Sequence, residues 1–77
     1  MKTIHNESYQ KCITLLKSKR VEKGITQAQL AERMRVSQAV ISKIETCERR
    51  LDVIELRDIC RIIDISFTEF INEISQF

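Results

Sequence analysis

The side chains with usable chemistry lie on one short stretch. At about 100° per residue, Gln38, Ala39, Ser42, Lys43 and Thr46 fan over one side of a helix whose other side carries Val40, Ile41 and Ile44. Glutamine bonds adenine bidentately, lysine donates to guanine, serine bonds a base or a phosphate, and alanine touches a thymine methyl. This polar face holds no acid. It suits the groove of double-stranded DNA; the alternative is a merely solvated face on a small helical domain.

Reaction chemistry is not indicated anywhere in the chain. It shows no phosphate loop, no nucleophile with a histidine beside it in a recognisable motif, and no clustered metal ligands. His5 is the only histidine, and Cys12, Cys47 and Cys60 do not have zinc-site spacing. We therefore expect no enzyme, no metal and no cofactor. Cys60 falls on a stripe with Leu56, Ile59 and Ile63 and reads as core, and Cys12 reads as half-buried. Cys47 falls in a loop and is expected to be exposed, more a bystander thiol in a reducing compartment than a redox sensor.

The elements that must position the polar face are two short helices and a tight turn, within TQAQLAERMRVSQAVISKIET from Thr26 to Thr46. Thr26 and Gln29 form a capping box, and Ile25 with Leu30 a hydrophobic staple. Leu30, Ala31 and Met34 make an apolar stripe at helical spacing. After Arg35 and Val36, Ser37 is the cap of the second helix, stapled by Val36 and Ile41. The turn is too short for an antiparallel helical hairpin.

These residues resemble the lambda-repressor-like helix-turn-helix family, also called Cro-type or XRE. The resemblance extends upstream through KSKRVEKGITQ, downstream through ISKIE, and more weakly through VIELRDICRIIDIS, covering about residues 13 to 70. It implies an all-α, five-helix DNA-binding domain with its helix-turn-helix in helices 2 and 3. It also implies that Gln38, Ala39 and Lys43 read bases with Ser42 in support, and that Thr26, Gln27, Ser37, Thr46, Arg49 and Arg50 contact the DNA backbone. Short members of the family include phage repressors and the controller proteins of restriction-modification systems.

Arg20 sits on the apolar stripe of the first helix, an awkward place for a charge without a partner. The resemblance implies that partner is Glu45, in a partly buried structural ion pair. The loop TCERRLD departs from the family pattern, which has glycine where this chain has Cys47, often a basic residue at Glu48 and often proline at Leu51. Arg35 also stands where glycine is common; a left-handed backbone there would cost about 1 kcal/mol. Glu48 would oppose a phosphate.

At 77 residues the chain is one domain with a small core, for which an added dimer interface is plausible. A hydrophobic content of 43% argues against disorder, and no apolar run approaches a membrane span of about 18 to 20 residues. No secretory leader is visible, so the cytoplasm is the default. The net charge of +2 divides unevenly: residues 1–50 hold eleven Lys and Arg against five Asp and Glu, and residues 51–77 hold two against six. A basic end suits phosphate and an acidic end should face away from it.

Taken in order, residues 1 to 7 show no periodicity and are expected to be loose, with Lys2 available to a phosphate. The first helix is predicted over Ser8 to Lys23, with Tyr9, Ile13, Leu16, Arg20 and Val21 inward and Gly24 at its left-handed end. A fourth helix follows the Asp52 and Glu55 box and runs to Ile63, with Val53, Leu56, Ile59, Cys60 and Ile63 inward. Ser66 and Glu69 form the box of a fifth, over Phe67 to Gln76. Residues 66–77 hold three of the four aromatics. Phe67, Phe70, Ile71, Ile74 and Phe77 are expected to form a homodimer interface for an inverted-repeat site. The alternative is an antitoxin or other partner-binding protein whose C-terminal surface grips a toxin or another protein, with DNA binding secondary.

Overall fold

Five helices follow one another because each starts at a residue that can turn the chain into a helix. A computed structural model describes residues 6–77; Lys2 and His5 lie outside the described residues. The elements are α1 (Glu7–Glu22), α2 (Gln27–Met34), α3 (Gln38–Glu45), α4 (Val53–Ile62) and α5 (Phe67–Ile74). Among the described residues there is no strand.

The first helix begins earlier than its apolar spacing indicates, because Asn6 accepts a hydrogen bond from the Tyr9 amide at 3.2 Å and so caps it. Thr26 with Gln29 and Asp52 with Glu55 each form both bonds of a capping box. Ser66 accepts from the Glu69 amide at 3.1 Å without a return bond, so that box is half made. Ser37 has the extended backbone of a cap, but its hydroxyl bonds nothing in α3.

The helices α1 to α4 end alike. Gly24, Arg35, Cys47 and Asp64 have φ of +70°, +60°, +61° and +60°. In each case the next amide reaches back five residues: Ile25 to Arg20, Val36 to Ala31, Glu48 to Lys43 and Ile65 to Cys60, at 2.8–3.2 Å. This left-handed termination satisfies helix-end carbonyls that would otherwise lack donors. Only the first of the four positions carries the residue for which the conformation costs nothing.

Ile13 and Leu16 of α1, Leu30 and Ala31 of α2, Ile41 and Ile44 of α3, Leu56, Ile59 and Cys60 of α4, Ile63 at the end of α4 and Phe70 of α5 form the core. Val21 and Val53 do not join it, being 59% and 60% exposed. Val21 lies about 100° around α1 from the buried Arg20, and Val53 is the first residue of α4, beyond the turn that packs. Phe70 is wholly buried within the single chain, and Phe67, Ile71 and Ile74 pack partly against the same core. Of the apolar residues of the C-terminal segment, Phe77 alone is strongly exposed, at 45%.

Candidate nucleic-acid interface

The polar face of α3 is presented by what lies behind it. Ile41 and Ile44 are buried and Val40 half-buried, which turns Gln38, Ala39, Lys43 and Thr46 to solvent and leaves Ser42 half-exposed. The helix packs on α2 across the turn at Arg35, and on α1. Among the described residues, neither Gln38 nor Lys43 makes a side-chain hydrogen bond or ion pair, so their donors and acceptors are uncommitted.

A buried ion pair fixes the C-terminal end of α3 to α1. Arg20 Nε donates to Glu45 Oε2 at 2.7 Å and its Nη2 to Oε1 at 3.0 Å, a bidentate fork with side chains only 8% and 7% exposed. The third nitrogen of Arg20 donates to the Ile25 carbonyl, which ties the residue before the α2 cap into the same cluster. Gln27 Nε2 donates to Glu45 Oε1 at 2.9 Å. Three elements therefore meet at one carboxylate, and no buried side-chain polar atom among the described residues lacks a partner.

The residues that the family resemblance assigns to the DNA backbone fall into two groups. Thr26, Ser37 and Arg50 are exposed, and Ser37 keeps its hydroxyl free of the α3 amides. Gln27, Thr46 and Arg49 are engaged by carboxylates: Gln27 by Glu45, Thr46 Oγ1 by Glu48 at 2.6 Å, and Arg49 Nη2 by Glu55 at 2.8 Å. The hydrogen bond from Arg49 is the main reason the Glu55 carboxyl titrates below its ordinary value, and the same bond raises the Arg49 guanidinium above its own.

Two residues that shape the loop, Tyr9 and Glu55, make contacts there that the sequence does not assign. The Leu51 amide donates to the Tyr9 hydroxyl at 2.8 Å, anchoring the end of the loop to α1. Burial, opposed by that hydrogen bond, raises the Tyr9 pKa. Glu55 does double duty, since its Oε1 also accepts from the Asp52 amide at 3.0 Å. The inward place of Tyr9 on α1 was a signal for a buried phenol; nothing in the order of residues pointed to its hydrogen-bond partner. Cys47, expected to be exposed, is half-buried at the left-handed position, and burial raises its pKa.

Two helices joined across a left-handed turn, with one polar face outward and its rear pinned, define a helix-turn-helix protein. The helix-turn-helix family profile matches residues 16–70. A solved XRE-family like protein from Pseudomonas syringae pv. tomato str. DC3000 is 43% identical, with a TM-score of 0.89 over 96% of this chain and 90% of that one. A point mutant of the restriction-modification controller protein C.Esp1396I is 30% identical, with a TM-score of 0.82 over 92% and 95%. The clp gene regulator ClgR from C. glutamicum is 25% identical, with a TM-score of 0.78 over 94% of each chain. No curated protein matches. The chain belongs to the Cro/XRE-type helix-turn-helix family of DNA-binding transcriptional regulators. No helix among the described residues is long and apolar enough to cross a membrane.

Proposed function

We propose that the chain is a sequence-specific regulator that binds an inverted-repeat operator as a homodimer, reading bases with Gln38, Ala39 and Lys43. The observation that carries this is the uncommitted face of α3: exposed polar side chains on a helix whose opposite side is locked by Ile41, Ile44 and the Arg20–Glu45 pair. A rigid helix with free donors and acceptors can enter the major groove without first breaking its own contacts. Ser37, Thr26 and Arg50 hold the backbone on either side, which sets register without specifying sequence. The controller protein and the gene regulator among the similar structures support a regulatory role.

Dimerisation suits an inverted repeat, because a two-fold pair presents two α3 helices to successive major grooves about one duplex turn, roughly 34 Å, apart, and a domain of 31 × 25 × 20 Å is of the size that such a pair requires. The surface we assign to the interface is the outer edge of α5: the exposed parts of Phe67, Ile71 and Ile74, with Phe77. Phe70, buried beneath them, supports that edge from the core.

The test begins with enrichment of bound fragments from random DNA. On the recovered site, Gln38→Ala should cost about 1 to 3 kcal/mol and relax preference at one position per half-site, while Arg50→Ala should weaken all sequences nearly equally. Sedimentation of Phe77-deleted protein should show a folded monomer with most affinity for the full site lost. Unchanged base preferences in Gln38→Ala would remove the reading face, and a persistent dimer would move the interface elsewhere.

A further inference from the structure

Two donors that the family resemblance assigns to DNA phosphates are already engaged by the chain's own carboxylates. Arg49 offers Nη2 to Glu55 Oε2 at 2.8 Å and Nη1 to Oε1 at 3.4 Å. Thr46 Oγ1 lies 2.6 Å from Glu48 Oε2, its shortest contact, and also 3.0 Å from the Ser42 carbonyl and 3.4 Å from that of Lys43. A threonine hydroxyl has one hydrogen, so while it points at Glu48 or at one of these carbonyls it cannot donate to a phosphate. A carboxylate and a phosphate present the same kind of acceptor to a guanidinium fork.

We propose that Glu48 and Glu55 are internal competitors for phosphate: DNA binding by this loop is an exchange in which Thr46 and Arg49 leave a carboxylate for the duplex backbone. This rests on the DNA-binding reading given above. The depth of the contacts separates what exchanges from what stays. The Arg20–Glu45 side chains are 8% and 7% exposed and remain paired, whereas Arg49 and Glu55 are 40% and 25% exposed, where an ion pair is weak and open to a competitor. Glu55 is built to survive the loss of Arg49, because the Asp52 amide still bonds its Oε1 and the start of α4 stays capped. The exchange therefore changes the charge balance of the loop without unfolding a helix. It lowers affinity for every sequence alike, since neither acid faces a base-reading side chain, and so acts on how tightly DNA is held rather than on which site is chosen.

The experiment measures binding of a fluorescent random-sequence duplex by anisotropy across a range of KCl concentrations. It compares the unaltered chain with Glu48→Ala, Glu55→Gln and Arg49→Ala, and with Glu69→Gln as an equal charge change on α5. Glutamine keeps an acceptor for the Asp52 amide, and Glu48 is an exposed loop residue, so both variants retain their folding contacts. Glu55→Gln should tighten binding about two- to fivefold beyond the Glu69→Gln control, the range open to an exposed ion pair, and Glu48→Ala should tighten it beyond the same control. Glu55→Gln should also steepen the salt dependence by up to about 0.9 in slope, the value of one further phosphate neutralised. In the Arg49→Ala background, Glu55→Gln should do no more than the control. Equal or weaker binding by both variants would overturn the exchange and make these acids positioning groups. An effect no larger than that of Glu69→Gln would overturn it in favour of overall charge. If the unaltered chain binds no duplex even at low salt, the DNA-binding reading itself fails and the exchange fails with it.

Discussion

Removing Arg20 should cost more than any surface charge in the chain. Arg20→Met deletes both nitrogen contacts to Glu45 and the bond to the Ile25 carbonyl, and leaves Glu45, 7% exposed, with Gln27 as its remaining partner. Breaking a pair of this burial costs about 3 to 5 kcal/mol, because an uncompensated charge stays behind. A chain of 77 residues has a total stability of roughly 4 to 11 kcal/mol at about 0.05 to 0.15 per residue. The single variant should therefore be near the limit of folding at room temperature. Arg20→Met with Glu45→Leu removes both charges and leaves the Ile25 carbonyl and the Gln27 amide short of a partner, a residual cost of about 1 to 3 kcal/mol. The double variant should thus be more stable than Arg20→Met alone.

Urea unfolding of the four proteins, at low temperature so that the weakest is folded at the start, gives the coupling directly. The two single costs should exceed the double cost by at least about 2 kcal/mol. The coupling should change little between low and high salt, since a buried pair is poorly screened. Additivity within about 0.5 kcal/mol would refute the reasoning, and so would a coupling that vanishes in 1 M salt, which belongs to exposed charges.

The left-handed positions give a second prediction: Arg35→Gly and Cys47→Gly should each raise stability by up to about 1 kcal/mol in thermal or urea melts, the conformational relief exceeding the entropy that glycine adds to the unfolded chain. Gly24→Ala should lower it by a similar amount although a Cβ there meets nothing within 4 Å; a neutral result would mean φ is not what glycine supplies at that position. The buried Cys60 thiol, its pKa pushed up to about 11 by burial, should resist iodoacetamide at pH 8 until the chain unfolds, because so little of it is thiolate. Peptide mass spectrometry should find Cys12 and Cys47 labelled first, and early labelling of Cys60 would contradict its place in the core.

What could be read from sequence was what is local. The Thr26–Gln29 and Asp52–Glu55 boxes and Gly24 depend on residues within four positions of one another, and the apolar spacing of α2 to α5 follows from helical period alone. Arg20 announced itself as a charge on an apolar stripe, but its partner, 25 residues on, came only through family resemblance. The left-handed ends at Arg35, Cys47 and Asp64 carry no glycine, so composition was silent there; the departures from the family pattern at Arg35 and Cys47 were the only signs. Ser37 looked like a bonded cap because its type is right, yet its hydroxyl is unused. Val21 and Val53 were placed inward by period, which says nothing about whether a neighbouring element reaches that far along the helix. The bonds from Thr46 to Glu48 and from Arg49 to Glu55 were out of reach for another reason: these partners are chosen by the path of an irregular loop.

The separation between the buried and exposed charges has a consequence for how this protein can change. Gln38, Ala39 and Lys43 are exposed and carry none of the core's packing, so substitutions there alter the chemistry shown to a groove at little cost in stability, as is usual for surface positions without a cap, network or strained backbone. The residues that aim the helix, Arg20, Glu45, Ile41 and Ile44, are buried or nearly so, and changing them should move every side chain of the exposed α3 face at once. The loop is a third, independent element: it reaches α1 through the Tyr9 hydroxyl and α4 through Glu55, and its ion pair is weak enough to yield to a phosphate. On the reading proposed above, specificity, orientation and general affinity rest on different residues held by forces of different depth, so each should be alterable while the other two stand.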